Sequence, residues 1–315
     1  MWQQTLDHNG DGLIDYNDKL TYDEILASID TVSTGGHNDW RLPTIKEQYS
    51  LIMYSGEDVS GFSGTDTSSL IPFINTDYFG YNYGDTSAGE RIIDVQFAST
   101  NKFVGNTAMV FGVNFADGRI KGYGTTMMGQ AKVFNYLLVR GNATYGKNEF
   151  TENSDETISD TATKLMWTQD DAGVKLDWKN ALLYAENYEL AGYTDWRLPN
   201  VKELQGIVDY SYSPSATNSA NIGPAINPLF SCTPITNEAG NSDYGYYWTG
   251  TSANFTSGEP YYYAWYVAFG MAVNGNGEDF HGAGAVRFDT KEENGPNGEG
   301  GERYYNYVRL VRDIN

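Results

Sequence analysis

The stretch DWRLPTIKE at residues 39–47 decides the fold, and the chain repeats it as DWRLPNVKE at residues 195–203. The first five residues are identical, and the next four match in type. A match of this length indicates an internal duplication. In each copy the proline biases the residue before it toward extended geometry, and Thr44 or Asn200 then stands at a helix cap position with a glutamate three residues later. The stretch therefore predicts the start of a helix in both copies.

Apolar residues follow each predicted cap at helical spacing, which predicts one buried face for each helix. They are Ile45, Tyr49, Ile52 and Met53 in the first copy and Val201, Leu204, Ile207 and Val208 in the second. A second helix is predicted upstream in each copy, over residues 20–32 and 177–190, since both segments approach a glycine near their ends.

The remainder of each copy has a different character. Residues 92–140 and 244–312 consist of short aromatic and β-branched runs broken by Gly, Asn and Asp, which predicts antiparallel strands and hairpins. The copies close on related runs, YLLVR at 136–140 and YVRLVR at 307–312, each predicted as a strand returning to the sheet. The Gly-rich, acidic segment 279–302 is predicted to be an exposed loop.

Together, the Trp-Arg-Leu-Pro-Thr motif with its Lys-Glu, an earlier Met-Trp pair and the closing YVRLVR run resemble a known bacterial family. This is the family typified by the C-terminal domain of the Legionella collagen-like adhesin. The helix start is also similar to that of the formylglycine-generating enzyme superfamily. The resemblance covers nearly the whole chain as two tandem copies, and it implies a C-type-lectin-like fold.

The predicted fold class is accordingly α+β. We expect two tandem C-type-lectin-like domains, each with two helices packed on twisted antiparallel strands and long loops. The first domain is predicted to span residues 1–142 and the second residues 162–315. The polar, acidic segment 143–161 between them holds few large apolar residues and is predicted to be a linker.

Composition excludes several classes of partner. The chain has 315 residues, with 41 acidic and 20 basic ones, for a formal net charge of -21. Such a chain repels phosphate backbones and anionic lipid surfaces, so no nucleic-acid partner is expected. No stretch approaches the roughly 20 apolar residues of a membrane helix, so no membrane insertion is expected. The single cysteine, Cys232, allows no intrachain disulfide.

Residues 7–18, DHNGDGLIDYND, have the spacing of an EF-hand-type calcium loop. Oxygen-bearing side chains fall at loop positions 1, 3, 5, 9 and 12, and Gly12 stands at position 6, where the loop turns sharply. Aspartate replaces the usual glutamate at position 12, as in the extracellular calcium loops of dockerins. The predicted calcium ligands are Asp7, Asn9, Asp11, the carbonyl of Leu13, Asp15 and Asp18. The alternative is an Asx-rich turn that binds no metal.

The lengths of the two copies indicate that this loop is an insertion. Trp2 and Trp40 are 38 positions apart, whereas Trp167 and Trp196 are 29 apart, so the first copy carries nine extra residues. The calcium-type loop lies within that interval.

Aromatic residues crowd into residues 244–266, which hold ten of them within 23 positions. Sugars are commonly held by aromatic faces with side-chain hydrogen bonds, and Tyr-rich loops also bind proteins. Strand alternation predicts that Trp265 faces the core while Tyr262 and Tyr266 face outward. The predicted ligand-binding residues are Tyr246, Trp248, Asn254, Tyr262 and Tyr266. A loop-packed surface without ligand is the alternative interpretation.

No catalytic residues are predicted. The three histidines, His8, His37 and His281, have no serine nucleophile motif near them. The formylglycine-generating activity depends on a cysteine pair, which this chain lacks. The repeated Trp-Arg pairs are interpreted as scaffold, with Trp wedging the helix against the sheet and Arg pairing with an internal carboxylate.

The sequence thus predicts a secreted or cell-surface bacterial protein that binds a glycan or protein ligand, with calcium ordering the first domain. The resemblance implies adhesion to sulfated glycosaminoglycans, whereas the net charge of -21 favours neutral glycans or proteins. The alternatives are a glycoside hydrolase with a carboxylate pair and a structural module of a larger surface protein.

Overall fold

The computed structural model describes residues 1–255, 261–293 and 303–314. The chain divides into two compact units. The first comprises Met1–Phe103, Thr107–Tyr145 and a short segment that starts at Asn254. The second comprises most of the remaining chain. Each unit combines short helices with mostly antiparallel strands, which confirms a mixed α+β architecture in two tandem regions.

The first unit has two α-helices and seven strands among its described residues, besides short 3-10 turns. They are β1 (Leu20–Thr21), α1 (Tyr22–Ser28), α2 (Ile45–Tyr49), β2 (Gln96–Phe103), β3 (Asn106–Asn114), β4 (Ile120–Gly124), β5 (Thr126–Met127), β6 (Gln130–Ala131) and β7 (Val133–Phe134). Strand β3 lies between β2 and β4, β1 pairs with β7, and β5 pairs with β6.

The second unit repeats the two helices within a larger set of strands. Its elements are β8 (Phe150–Glu152), β9 (Thr157–Asp160), β10 (Leu165–Thr168), α3 (Trp178–Glu186), α4 (Val201–Gly206), β11 (Pro234–Thr236), β12 (Ser242–Tyr244), β13 (Tyr246–Ala253), β14 (Tyr263–Ala268), β15 (Val286–Thr290) and β16 (Val311–Asp313). Strand β14 lies between β13 and β15, and another sheet has the order β16-β10-β9-β8.

Both predicted helix starts are confirmed, because each cap forms reciprocal hydrogen bonds. The Thr44 hydroxyl accepts from the Glu47 amide at 3.2 Å, and the Glu47 carboxylate accepts from the Thr44 amide at 2.9 Å. Asn200 and Glu203 make the same pair of bonds at 2.9 and 2.7 Å. Each box satisfies amides that the first helical turn leaves without partners.

The helices are shorter than predicted. Helix α2 ends at Tyr49, so Met53 lies beyond it and is exposed rather than buried. Helix α1 covers seven residues and α3 nine, within the longer segments predicted for them. The apolar residues after the second cap, including Val201 and Leu204, are buried as predicted.

The scaffold interpretation of the repeated Trp-Arg pairs is confirmed. Trp40 and Trp196 are buried, and their indole nitrogens donate to backbone carbonyls six residues earlier, at Thr34 (3.1 Å) and Leu190 (3.4 Å). Each following arginine forms a two-pronged ion pair with the cap glutamate of its own copy: Arg41 with Glu47 at 2.7 and 2.5 Å, and Arg197 with Glu203 at 2.8 and 2.9 Å.

The duplication extends to backbone pairing that the motifs alone did not reveal. Arg41 exchanges two backbone hydrogen bonds with Val139, both at 2.9 Å, and Arg197 exchanges two with Val311, at 2.9 and 3.0 Å. Since the pairing is the same, Val139 and Val311 occupy equivalent positions in the two copies. The closing run of each copy therefore returns to its own Trp-Arg motif.

The segment predicted as a linker, residues 143–161, contains two strands instead. Strand β9 pairs with both β8 and β10, and Ile158 in β9 is fully buried. The linker prediction is wrong for this part because hairpin pairing provides hydrogen bonds that a polar, acidic sequence can use without a large apolar face.

The prediction of an exposed loop at residues 279–302 is also wrong in part. Strand β15 lies inside it, pairs with β14, and is buried along its whole length. Residues 294–302 lie outside the described residues.

Candidate functional site

The aromatic segment of the second unit is packed into the core. Tyr246 and Trp248 have no exposed surface, and Tyr266 is 2% exposed. The expectation that Tyr266 faces outward is therefore wrong. Strand β14 is paired on both edges and covered on both faces, so Trp265 on one face and Tyr266 on the other are both buried.

The buried rings have internal partners. The rings of Tyr246 and Tyr266 stack with centroids 4.6 Å apart and planes 4° from parallel. The Tyr246 hydroxyl accepts from the Val273 amide at 3.0 Å, and the Trp248 indole donates to the Leu176 carbonyl at 2.9 Å. These contacts give the three rings a packing role in the described structure.

The other two predicted ligand residues lie apart from this cluster. Tyr262 is only partly exposed, and its ring meets that of Tyr263 at a centroid distance of 5.7 Å. Asn254 is counted with the first unit, and its side-chain amide donates to the Glu57 carboxylate at 2.9 Å. The five predicted residues are thus not brought together as one exposed surface.

The loop at residues 7–18 turns as the calcium-type spacing predicts. Gly12 has a φ of +87°, a backbone conformation that a side chain would disfavour. The two oxygens of Asp7 accept from the amides of Gly10 at 2.7 Å and Gly12 at 3.0 Å, which folds the first half of the loop around this carboxylate.

The last position of the loop closes it. Asp18 is buried, and one of its carboxylate oxygens accepts from the amides of His8 at 2.7 Å and Asn9 at 3.2 Å. The other oxygen accepts from the amide of Asp15 at 3.0 Å. Asp18 thus ties the two ends of the loop together through their backbone.

The donor chemistry of the loop suits a hard cation. Carboxylate, amide and carbonyl oxygens are the ligands that calcium takes, and a carboxylate oxygen that accepts from an amide retains lone-pair capacity. Within residues 1–255, 261–293 and 303–314, no three His, Cys, Asp or Glu side chains already come together as a metal-binding group. The calcium site stays a prediction.

A cleft of about 530 Å³, with both polar and apolar lining, opens beside this loop. Its walls come from the N-terminal segment, the loop, β1 and the chain at and after the end of α1. The lining residues that carry a hydroxyl group are Thr5, Ser28, Thr31, Ser33, Thr34 and Tyr136. The amide side chains belong to Gln3, Asn9 and Asn17, and the remaining lining residues are Asp7, His8, Asp18, Leu20 and Val32.

A stacked pair of rings forms part of the cleft wall. The rings of His8 and Tyr136 lie 3.8 Å apart with planes 7° from parallel. The His8 Nε2 atom is 3.1 Å from the Tyr136 carbonyl oxygen, and because a carbonyl can only accept, this contact places the ring proton on Nε2. Burial lowers the pKa of His8 below its ordinary value.

A family model described as the Lcl C-terminal domain matches residues 1–140 and again residues 156–312. The chain belongs to this family. The two matches coincide with the two copies of the Trp-Arg-Leu-Pro motif, so the resemblance read from those residues is confirmed. Comparisons with curated proteins and with solved structures found no match.

Lcl C-terminal domains are bacterial adhesin-associated domains, and the family is a non-catalytic one. Cys232 is the single cysteine of the chain. Burial raises the pKa of its thiol, and the neighbouring Arg309 guanidinium donates to the backbone carbonyls of Thr168, Gln169 and Ser231. Cys232 is thus a half-buried residue next to an arginine that backbone carbonyls hold in place. No helix among the described residues has the length and apolar character needed to cross a bilayer.

Sequence reasoning missed the cleft in this Lcl C-terminal domain protein. A signal was present in the comparison of the copies, because the first copy carries Ser28, Val32 and Thr34 where the second carries the larger residues Tyr184, Tyr188 and Leu190.

Proposed function

We propose that this chain is a ligand-binding module of a secreted or cell-surface bacterial adhesin, built from two C-type-lectin-like domains. The observation that carries the proposal is the family match over both copies, which together span residues 1–140 and 156–312. Adhesin-associated domains act by retaining a ligand, so the expected activity is binding without turnover.

The ligand class follows from charge. With 41 acidic and 20 basic residues, the chain as a whole repels polyanions. Uncharged glycans or proteins are therefore proposed as ligands in preference to sulfated glycosaminoglycans.

The function is tested by measuring retention of the intact protein on an array that carries uncharged oligosaccharides, sulfated glycosaminoglycans and immobilised extracellular-matrix proteins. We expect saturable binding to uncharged glycans or proteins, with no release of cleaved product. Absence of binding to every class would contradict the proposal, and release of a cleaved saccharide would favour a hydrolase instead.

We further propose that calcium orders the loop at residues 7–18. The support is the ligand spacing, the positive φ of Gly12 and the closure of the loop by Asp18. The oxygens that would hold the ion belong to Asp7, Asn9, Asp11, Leu13, Asp15 and Asp18. When bound, the ion would neutralise a loop that carries four aspartates within twelve residues.

The calcium proposal is tested by calorimetry of the intact protein in calcium and in chelator. Binding to the native state alone stabilises it by mass action, so calcium should raise the melting temperature. Asp7→Asn and Asp11→Asn should remove the shift. Asp66→Asn, at an exposed aspartate outside the loop, is the matched control and should retain it. Identical melting curves in calcium and chelator for the parent protein would contradict the proposal.

A further inference from the structure

We infer that the cleft beside the loop at residues 7–18 is the saccharide-binding site of the first copy, and that its ligand is an uncharged oligosaccharide. This inference rests on the proposed function and names the site at which it is carried out. The site lies in the first unit and does not involve the aromatic segment of the second.

The inserted loop changes which groups hydrogen-bond to the carbonyls of the closing run, residues 136–140 in the first copy and 307–312 in the second. In both copies a residue near the start pairs with that run, Gln3 with the Leu138 carbonyl at 3.0 Å and Thr168 with the Leu310 carbonyl at 3.1 Å. In the second copy, the carbonyl of Val308, two residues before Leu310, accepts a further hydrogen bond from the Ala172 backbone amide at 2.9 Å.

In the first copy, the His8 side chain contacts the carbonyl at that position. Tyr136 is equivalent to Val308, because each lies three residues before the paired valine of its copy. The His8 ring nitrogen contacts the Tyr136 carbonyl at 3.1 Å, where the second copy uses a backbone amide. The His8 side chain therefore provides the hydrogen bond that the Tyr136 carbonyl needs. The inserted loop, which carries His8, forms one wall of the cleft.

Small residues on the opposite wall keep the cleft open. The Trp40–Thr34 and Trp196–Leu190 bonds align the two copies, so Ser28 and Val32 stand where the second copy has tyrosines. Those residues, Tyr184 and Tyr188, have ring centroids 5.2 Å apart and pack against the core of the second unit. The second copy thus fills with two rings the space that the first leaves open.

The residues that line the cleft indicate which class of ligand it would bind. Residues with hydroxyl or amide side chains line the cleft together with Leu20 and Val32, so polar and apolar surface are present in similar amounts, and no lysine or arginine lines the cleft in the part of the chain that the structure describes. The charged carboxylates are Asp7 and Asp18, which disfavour sulfate, phosphate or uronate groups. An uncharged saccharide matches this mixture, because it presents hydroxyl groups and apolar CH faces together.

Two polar groups of the lining are available to a ligand. The Ser33 hydroxyl and the amide nitrogen of the Asn9 side chain make no hydrogen bond to any residue within the described ranges, and both residues are exposed. A cleft of a few hundred Å³ with a small number of such groups has the size of known small-ligand sites.

The test replaces two cleft residues of the first copy with the tyrosines that stand at the equivalent positions of the second copy. The double variant Ser28→Tyr/Val32→Tyr should fill the cleft with the side chains that the duplicated fold already accommodates at these positions. Leu26→Tyr is the matched control, since Leu26 is an exposed residue of α1 that does not line the cleft. Ser33→Ala removes one hydroxyl and adds no bulk.

Binding of the intact proteins is measured on an array of uncharged oligosaccharides, with heparin as the polyanion, and melting curves are recorded for every variant. We expect the double variant to bind the retained oligosaccharide at least tenfold more weakly, Ser33→Ala a few-fold more weakly, and Leu26→Tyr like the parent. If the double variant has a lower melting temperature than the parent, the Ser33→Ala variant provides the test instead. Oligosaccharide binding by Ser33→Ala equal to that of the parent would then overturn the inference.

Other outcomes separate the site from the function. Parent-like oligosaccharide binding by a folded double variant overturns the cleft assignment and leaves the adhesive function standing. Retention of heparin alone overturns the uncharged ligand class. A parent protein that binds only immobilised proteins overturns the saccharide site, and one that binds nothing overturns both proposals.

Discussion

At the scale of single residues, the cap glutamate holds each copy together. Glu47 is 4% exposed, accepts two bonds from Arg41 and one from the Thr44 amide, and so joins the Trp-Arg motif to helix α2. Glu203 does the same in the second copy but has a more exposed side chain. A buried carboxylate with several donors is costly to replace, since the donors lose their partner together.

We therefore expect Glu47→Gln to lower the free energy of unfolding by about 1.5–3 kcal/mol. The matched Glu203→Gln should cost less, because solvent screens the more exposed pair. Urea unfolding of both variants measures the two costs. Equal stability of Glu47→Gln and the parent would show that the pair is not a structural link.

A second residue-scale prediction concerns acid. Burial raises the pKa of Asp58 to about 6, while the neighbouring Arg119 guanidinium, at 2.5 Å, acts in the opposite direction. A folded-state pKa above the unfolded value of 3.8 means that the native state takes up this proton first. Asp58 therefore contributes more favourably to stability as the pH falls from above 6 toward 3.8.

The measurement is the stability difference between the parent and Asp58→Asn at a series of pH values, because the variant lacks this titration. We expect the difference to move in favour of the parent between pH 7 and pH 4, a range that spans the two pKa values. A constant difference, or one that moves the other way, would contradict the assignment.

The burial of Tyr266 gives a third prediction. Tyr266→Ala should cost roughly 3–5 kcal/mol of stability, as large as the cost of Trp265→Ala, because both rings are buried. Tyr262→Ala, at a partly exposed ring, should cost much less. A stability of Tyr266→Ala close to that of the parent would show that the ring is not part of the core.

At the scale of elements, the sequence predicted what local chemistry specifies. Both helix starts follow from a cap residue and a glutamate three positions on, and those bonds form within one turn of chain. Helix ends were predicted poorly, because no comparable signal stops α2 at Tyr49. Of the two apolar residues that continue the periodicity beyond this helix, Ile52 is buried and Met53 is exposed.

The facing of strand β14 could not be predicted in this way. Alternation shows which residues share a face of the strand, but it does not show whether another layer of the protein covers that face. In β14 both Trp265 and Tyr266 are buried, since the strand is central and covered on both sides. The aromatic-rich composition that suggested a ligand surface is the composition of a two-sided core.

At the scale of the whole molecule, the duplication accounts for the scaffold, and the differences between the two copies form the proposed ligand site. The shared residues, such as Trp40 and Trp196, build the scaffold in both units. The cleft depends on what is not shared, namely the inserted loop and the small residues at 28 and 32. Repetition within a single sequence therefore revealed the two tandem regions, whereas the cleft could be located only from the position of the insertion in three dimensions.

The corrected boundary between the copies makes a prediction for proteolysis. Residues 141–145 and Lys147 are exposed and precede β8, whereas Lys164 lies in the turn that joins the paired strands β9 and β10. Limited trypsin digestion of the intact protein should cut first after Lys147, since exposed segments outside paired strands are the preferred sites of nicking. A first cut after Lys164, identified by mass spectrometry, would contradict the assignment of β8 to β10 as one ordered sheet.

The most direct test of a calcium-ordered saccharide site in the first copy is the binding of one uncharged oligosaccharide, the best retained on the array, in calcium and in chelator. Since the proposed metal loop forms a wall of the cleft, the ion and the ligand should favour each other's binding. We expect at least tenfold weaker binding in chelator for the parent, and equally weak binding in both buffers for Asp11→Asn. Equal affinity of the parent in calcium and in chelator would contradict the link between the loop and the ligand.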